Sequence, residues 1–158
     1  MDILKSCGIY EVSSVEETWE LAKRFAAELT PGDVVCLEGD LGAGKTTFTQ
    51  GLAVALGVKG RVTSPTFCLV QEHIADDFSR GGKDSAATTV KLLVHMDLYR
   101  LNGEDDVLAI GWEDYLERGA VLVGEWPERA GALIPAKARH IVFTHLEGEE
   151  KRRIEFKA

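Results

Sequence analysis

The sequence is short of cysteine, of positive charge and of long apolar runs, and each shortage closes off a class of protein. Its three cysteines, Cys7, Cys36 and Cys68, are odd in number, far apart and without a C-x-x-C pair, so neither a disulfide framework nor a thiolate metal or redox motif is expected. Cys36 and Cys68 stand inside apolar runs and read as small core residues of a protein in a reducing compartment. Eighteen Lys and Arg against 26 Asp and Glu leave a net charge of -8, a field that repels a phosphate backbone and disfavours a nucleic-acid clamp. The local basic run Lys151-Arg152-Arg153 reads as a solvated strand face. No apolar stretch approaches the ~20 residues needed to cross a bilayer. The start, Met1 to Tyr10, lacks the basic-then-apolar order of a signal peptide, so a cytoplasmic protein with no membrane contact is expected. The four histidines show no metal-ligand spacing.

What remains, 158 residues with 45% apolar content, is enough for one domain over 1–158 with a single core. Ile9 to Val12 reads as a short strand. Ser14 and Glu17 have capping-box spacing, and a helix follows with Leu21, Ala22, Phe25, Ala26 and Leu29 on one face, ended by Thr30, Pro31 and Gly32. Val34 to Leu37, apolar and β-branched, reads as a central strand buried on both faces. A helix from Lys45 turns Phe48, Leu52 and Leu56 inward up to Gly57. Phe67 to Glu72 and Val90 to Met96 read as strands around a polar loop, Ala75 to Thr89. Glu104 to Leu116 is expected as one helix with Asn102 near its start, and Ala120 to Gly124 as a strand. Ile141, Phe143, Ile154 and Phe156 alternate on either side of a Glu147 to Glu150 turn, as in an antiparallel hairpin. The order predicts an α/β domain whose mixed sheet is parallel at its centre and antiparallel at its edges.

Between the central strand and its helix lies G-D-L-G-A-G-K-T, Gly39 to Thr46. Strand, glycine loop and helix in that order are what a phosphate-binding P-loop requires. Gly39, Gly42 and Gly44 let backbone N–H groups wrap round phosphate oxygens, Lys45 reaches the β- and γ-phosphates, and the Thr46 hydroxyl can ligate Mg²⁺. Nucleotide hydrolysis also needs a carboxylate near the metal and a group that orients water. Two apolar strands end in acids: Leu92-Leu93-Val94-His95-Met96 in Asp97, and Val121-Leu122-Val123-Gly124 in Glu125. His95, two residues before Asp97, shares its side of the strand and would orient that acid. Ser64-Pro65-Thr66 reads either as a nucleotide-sensing switch loop or as a strand-initiating turn, the turn being slightly favoured by spacing alone. Trp126 either covers the site or packs in the core.

Four segments together, G-D-L-G-A-G-K-T-T at Gly39 to Thr47, S-P-T-F at Ser64 to Phe67, H-M-D-L-Y-R at His95 to Arg100 and E-W-P at Glu125 to Pro127, resemble the bacterial TsaE (YjeE) ATPases in motif, order and spacing. That family takes part in making threonylcarbamoyladenosine (t6A) on tRNA. The resemblance implies a P-loop NTPase-type three-layer fold and hydrolysis of ATP with Mg²⁺. It implies a phosphate cradle of Gly42, Ala43, Gly44, Lys45, Thr46 and Thr47, Mg²⁺ ligation by Thr46 and Glu125, and a carboxylate for hydrolysis at Asp97. It makes Thr66 the switch-loop threonine, against the turn reading, and puts Thr18 near the adenine. It also implies partnership with TsaD and TsaB, with tRNA met only through that complex. The polar 75–89 loop is longer than the family pattern leads one to expect. A small-molecule kinase is the main rival, but Arg129 and Arg139, the only arginines considered for a lid, lack its context. A Ras-type GTPase is disfavoured, since the single asparagine, Asn102, forms no N-K-x-D and no D-x-x-G occurs. A non-hydrolysing nucleotide-dependent assembly factor is the third reading.

Overall fold

Strand β2, Val34–Gly39, occupies the centre of a seven-stranded sheet because its first four residues are all buried and it can be covered on both faces. The computed structural model describes residues 8–39, 43–58, 62, 70–75, 90–148 and 151–157. The remaining described elements are β1 Gly8–Val12, α1 Val15–Ala26, α2 Lys45–Ala55, β3 Val70–Ile74, β4 Leu92–Asp97, α3 Glu104–Ala109, α4 Trp112–Glu117, β5 Val121–Glu125, a 3₁₀ segment Pro127–Leu133, β6 Arg139–His145 and β7 Arg152–Lys157. Their order across the sheet is β1-β7-β6-β2-β5-β4-β3. β6, β2, β5 and β4 run parallel, while β3, β7 and β1 pair antiparallel at the edges. This is the mixed P-loop NTPase-type sheet that the sequence predicts.

Alternation along the strands divides the core in two. Val35, Leu37, Val123, Ile141, Phe143, Ile154 and Phe156 face α1 and α2, where Phe25 and Phe48 join Phe143 and Phe156 in an aromatic cluster with centroids 5.5 to 6.0 Å apart. Val34, Cys36, Val94, Met96 and Leu122 face α3, α4 and the 3₁₀ segment, packing with Val107, Trp112 and Ala130. Cys36 is a core residue as expected, and burial with the nearby acids Glu38 and Glu128 pushes its thiol up to about 12, far from thiolate chemistry. Cys7 and Cys68 lie outside the described residues.

Local signals account for most boundaries. Ser14 Oγ accepts from Glu17 N–H at 3.1 Å, and the Glu17 carboxylate reaches back to Ser13 N–H at 2.7 Å, one residue before the position a capping box uses. The helix ends at Ala26, yet Leu29 beyond it is still buried. The expected single helix over Glu104 to Leu116 is two helices instead. Gly111, at φ 99°, breaks the ladder and heads α4, because only glycine takes that conformation without a Cβ clash. Gly103 stands at the N-cap of α3, and Asn102, near the helix start as expected, bonds the Asp106 carboxylate through its N–H at 2.9 Å. β4 starts at Leu92, and β3 runs on to Ile74; 67–69, and the loop over 76–89, lie outside the described residues. No described helix is long and apolar enough to cross a membrane.

Candidate nucleotide site

The site forms where β2, β4 and β5 end side by side. Gly39 closes β2 at φ 139°, and a Cβ there would lie 2.3 Å from the Phe143 carbonyl oxygen on β6, so β2 can end this close to its neighbour only with glycine. Gly44, at φ 109°, opens α2. The first intrahelical bond runs from Phe48 N–H to the Gly44 carbonyl at 3.0 Å, which leaves the N–H groups of Lys45, Thr46 and Thr47 outside the helical ladder, at the positive end of the helix. Ala43 is buried, and Thr46 and Thr47 are partly exposed.

Lys45 is itself buried. Its Nζ donates to the Gly39 carbonyl at 2.7 Å and lies 3.5 Å from Glu125 Oε1. The other carboxylate oxygen, Oε2, is hydrogen-bonded to His95 Nε2 at 2.8 Å. Burial alone would raise the Glu125 pKa, but the hydrogen bond to His95 and the Lys45 ammonium outweigh it and hold the carboxyl below its ordinary value. Glu125 therefore stays ionised although only 7% exposed.

Asp97 sits in register with Glu125 across β4 and β5, partly buried, and its Oδ1 accepts from Tyr99 N–H at 3.1 Å. His95 thus serves Glu125 and not Asp97. It faces the side of the strand expected of it, but the nearer acid in space comes from the neighbouring strand. Trp126 is not a core residue. It is 41% exposed, holds φ at 60°, packs tilted against Tyr99 with centroids 4.7 Å apart, and lines a cleft with Leu37, Glu38, Gly39, Lys45, Pro127 and Glu128. Glu38 and Glu128 were not singled out in the sequence, since neither belongs to a motif. Tyr99 lies within H-M-D-L-Y-R, the signal that could have found it.

Thr18 is buried on α1, its hydroxyl donating to the Ser14 carbonyl at 3.3 Å. Of the predicted site residues Lys45 lines that cleft, while Thr18, Thr46, Thr47, Asp97 and Glu125 are not part of its lining. Gly42 and Thr66 lie outside the described residues. Of the two arginines weighed for a lid, Arg139 is engaged elsewhere, bonding Glu28 at 3.3 Å and covering the Phe25 ring, whereas the Arg129 guanidinium lies over Tyr99 beside the site.

A family model described as threonylcarbamoyl adenosine biosynthesis protein TsaE matches residues 12–154. The chain belongs to the TsaE family. It is 40% identical to the tRNA threonylcarbamoyladenosine biosynthesis protein TsaE of Bacillus subtilis over 143 residues, covering 90% of this chain and 80% of that protein. It is also 40% identical to the TsaE of Aquifex aeolicus, over 82% of this chain and 81% of that one. Among solved structures, the crystal structure of Bacillus subtilis YdiB superposes with a TM-score of 0.72 at 32% identity, covering 96% of this chain and 84% of that chain. The TsaE-family chain thus shares its fold with a solved relative over nearly its whole length.

Proposed function

We propose that the chain is a Mg²⁺-dependent ATPase that sustains t6A modification of tRNA in the cytoplasm by acting on a TsaD–TsaB complex, with tRNA handled by those partners. Family membership supports the place in t6A biosynthesis. The observation that carries the hydrolytic reading is the buried Lys45–Glu125 pair at the N-terminus of α2, with Lys45 also lining the adjoining cleft.

The donor set suits a metal that arrives with nucleotide. Among the described residues no cluster of three His, Cys, Asp or Glu side chains could cage an ion alone. Mg²⁺ bound with a nucleotide needs only one or two protein oxygens beside phosphate and water. Thr46 and Glu125 would supply them. The bound ion would neutralise charge on the β- and γ-phosphates. Lys45 keeps one donor on Gly39 and turns another towards Glu125, which leaves one for a phosphate oxygen. The N–H groups of Ala43 to Thr47, with Gly42, cradle the phosphates, Asp97 orients the attacking water beside Glu125, and Thr66 responds to the γ-phosphate. Thr18 contributes on the adenine side.

Phosphate release, measured with and without TsaD and TsaB for wild type and Glu125→Ala, tests this reading. Wild type turns over slowly alone and faster with partners, and Glu125→Ala loses at least about tenfold. Equal hydrolysis by both removes the assigned metal site. ATP binding without hydrolysis by wild type returns the assembly-factor reading, and a phosphorylated small molecule the kinase reading.

A further inference from the structure

We propose that His95 is a positioning residue for Glu125: its Nε2–H holds Oε2, so that Oε1 is the oxygen that faces Lys45 and is left for a metal. This rests on the ATPase reading above and deepens it. Three features of the structure carry it.

The first is reach. His95 pairs with Val123 across β4 and β5, two residues before Glu125, and period two puts all three side chains on the face that carries Val35 and Leu37. The imidazole therefore meets the Glu125 side chain diagonally, at 2.8 Å. The second is burial. His95 is 0% exposed, among Leu93, Val121 and Val123, where an aliphatic side chain would pack without any polar cost. A buried imidazole is tolerated there because it satisfies a carboxylate.

The third is the other ring nitrogen. Nδ1 is buried and has no hydrogen-bond partner among the described residues. Of the two neutral tautomers, the one protonated at Nδ1 would bury a donor without an acceptor and turn the Nε2 lone pair against carboxylate oxygen. Protonation at Nε2 avoids both, which makes His95 the donor and Glu125 the acceptor. With Oε2 tied, rotation of the carboxylate is blocked and Oε1 keeps one direction. The arrangement is an outer-shell contact that orients a ligand, acting without touching nucleotide.

Two measurements test it. In the wild-type protein without nucleotide or metal, long-range ¹H–¹⁵N correlations of the His95 ring show the Nε2–H tautomer; an Nδ1–H pattern overturns the proposal. In kinetics, His95→Leu keeps the nucleotide KM within about twofold while kcat falls about tenfold, and Mn²⁺ binding to the nucleotide complex, read by electron paramagnetic resonance, weakens in parallel. His95→Gln, whose amide nitrogen can stand where Nε2 stood, recovers most of both. Unchanged kcat and Mn²⁺ affinity in His95→Leu, or a glutamine variant no better than leucine, overturns the proposal. If the leucine variant does not fold, the ring spectrum and the glutamine variant decide. Glu125→Ala run alongside separates the two claims: loss in Glu125→Ala without loss in His95→Leu sinks only the positioning role, whereas no loss in either sinks the metal site as well.

Discussion

Adjacent parallel strands deliver two carboxylates to the same end of the sheet, in register, and the surroundings of the two diverge. At the tip of β5, Glu125 is buried, with one oxygen on His95 and the other facing Lys45. At the tip of β4, Asp97 is partly exposed and among the described residues holds the N–H of Tyr99, two residues along its own turn. The first acid is fixed by the fold before any ligand arrives, and the second by its own loop. A carboxylate that must keep one position and one charge belongs at the first tip, and one that must follow a moving water is better served at the second.

Deleting each acid should separate the tips most sharply. Glu125→Ala leaves Lys45 and His95 buried without their carboxylate, which by the usual cost of breaking a buried ion pair removes about 3 kcal/mol of unfolding free energy in urea. Asp97→Ala should cost well under half of that, and equal losses would end the distinction. The pH dependence comes next. Because the folded Glu125 pKa lies below its ordinary value, its contribution to stability is complete above that value and fades as the pH falls through the folded pKa. The stability gap between wild type and Glu125→Gln should therefore be level near neutrality and shrink in acid; a gap that grows in acid would reverse the assignment. A smaller effect is expected of Asp97→Asn. Its amide oxygen can still accept from Tyr99 N–H, so stability should change by less than about 0.5 kcal/mol while hydrolysis falls. A variant that hydrolyses ATP normally would take Asp97 out of the site.

How much of this was legible in the sequence depends on the range of the signal. β2, the glycine loop and α2 follow one another within about twenty positions, and their strand, turn and helix signals are local. The hairpin of β6 and β7 is equally local, its partners being joined by one turn. Gly111 was missed because Leu108, Trp112, Tyr115 and Leu116 keep the i, i+4, i+7, i+8 spacing across the break, so nothing in the apolar pattern marks it. The pairing of β1 with β7 joins the two ends of the chain and has no short-range signature. His95 was matched to the wrong acid for a related reason. Period two along β4 predicts its face, but its partner depends on the register of β4 against β5, where a shift of one residue would put Glu125 on the other side.

The two tips also touch, and this contact sets the smallest expected effect. Tyr99 stands two residues after Asp97, Trp126 follows Glu125, and their rings pack in a tilted contact with centroids 4.7 Å apart. Trp126 makes that contact from a φ of 60°, a left-handed conformation costing a side chain about 1 kcal/mol. Removing the ring forfeits a stack of about 0.5–1.5 kcal/mol, and a glycine at the same place also removes the strain. Glycine ordinarily destabilises relative to alanine because its unfolded chain is freer. Here the order should invert, with Trp126→Gly more stable than Trp126→Ala by about 0.5 kcal/mol in thermal or urea unfolding. Alanine as the more stable variant would mean that the strain at the tip of β5 is not carried by residue 126, and that the stack on Tyr99 forms without it.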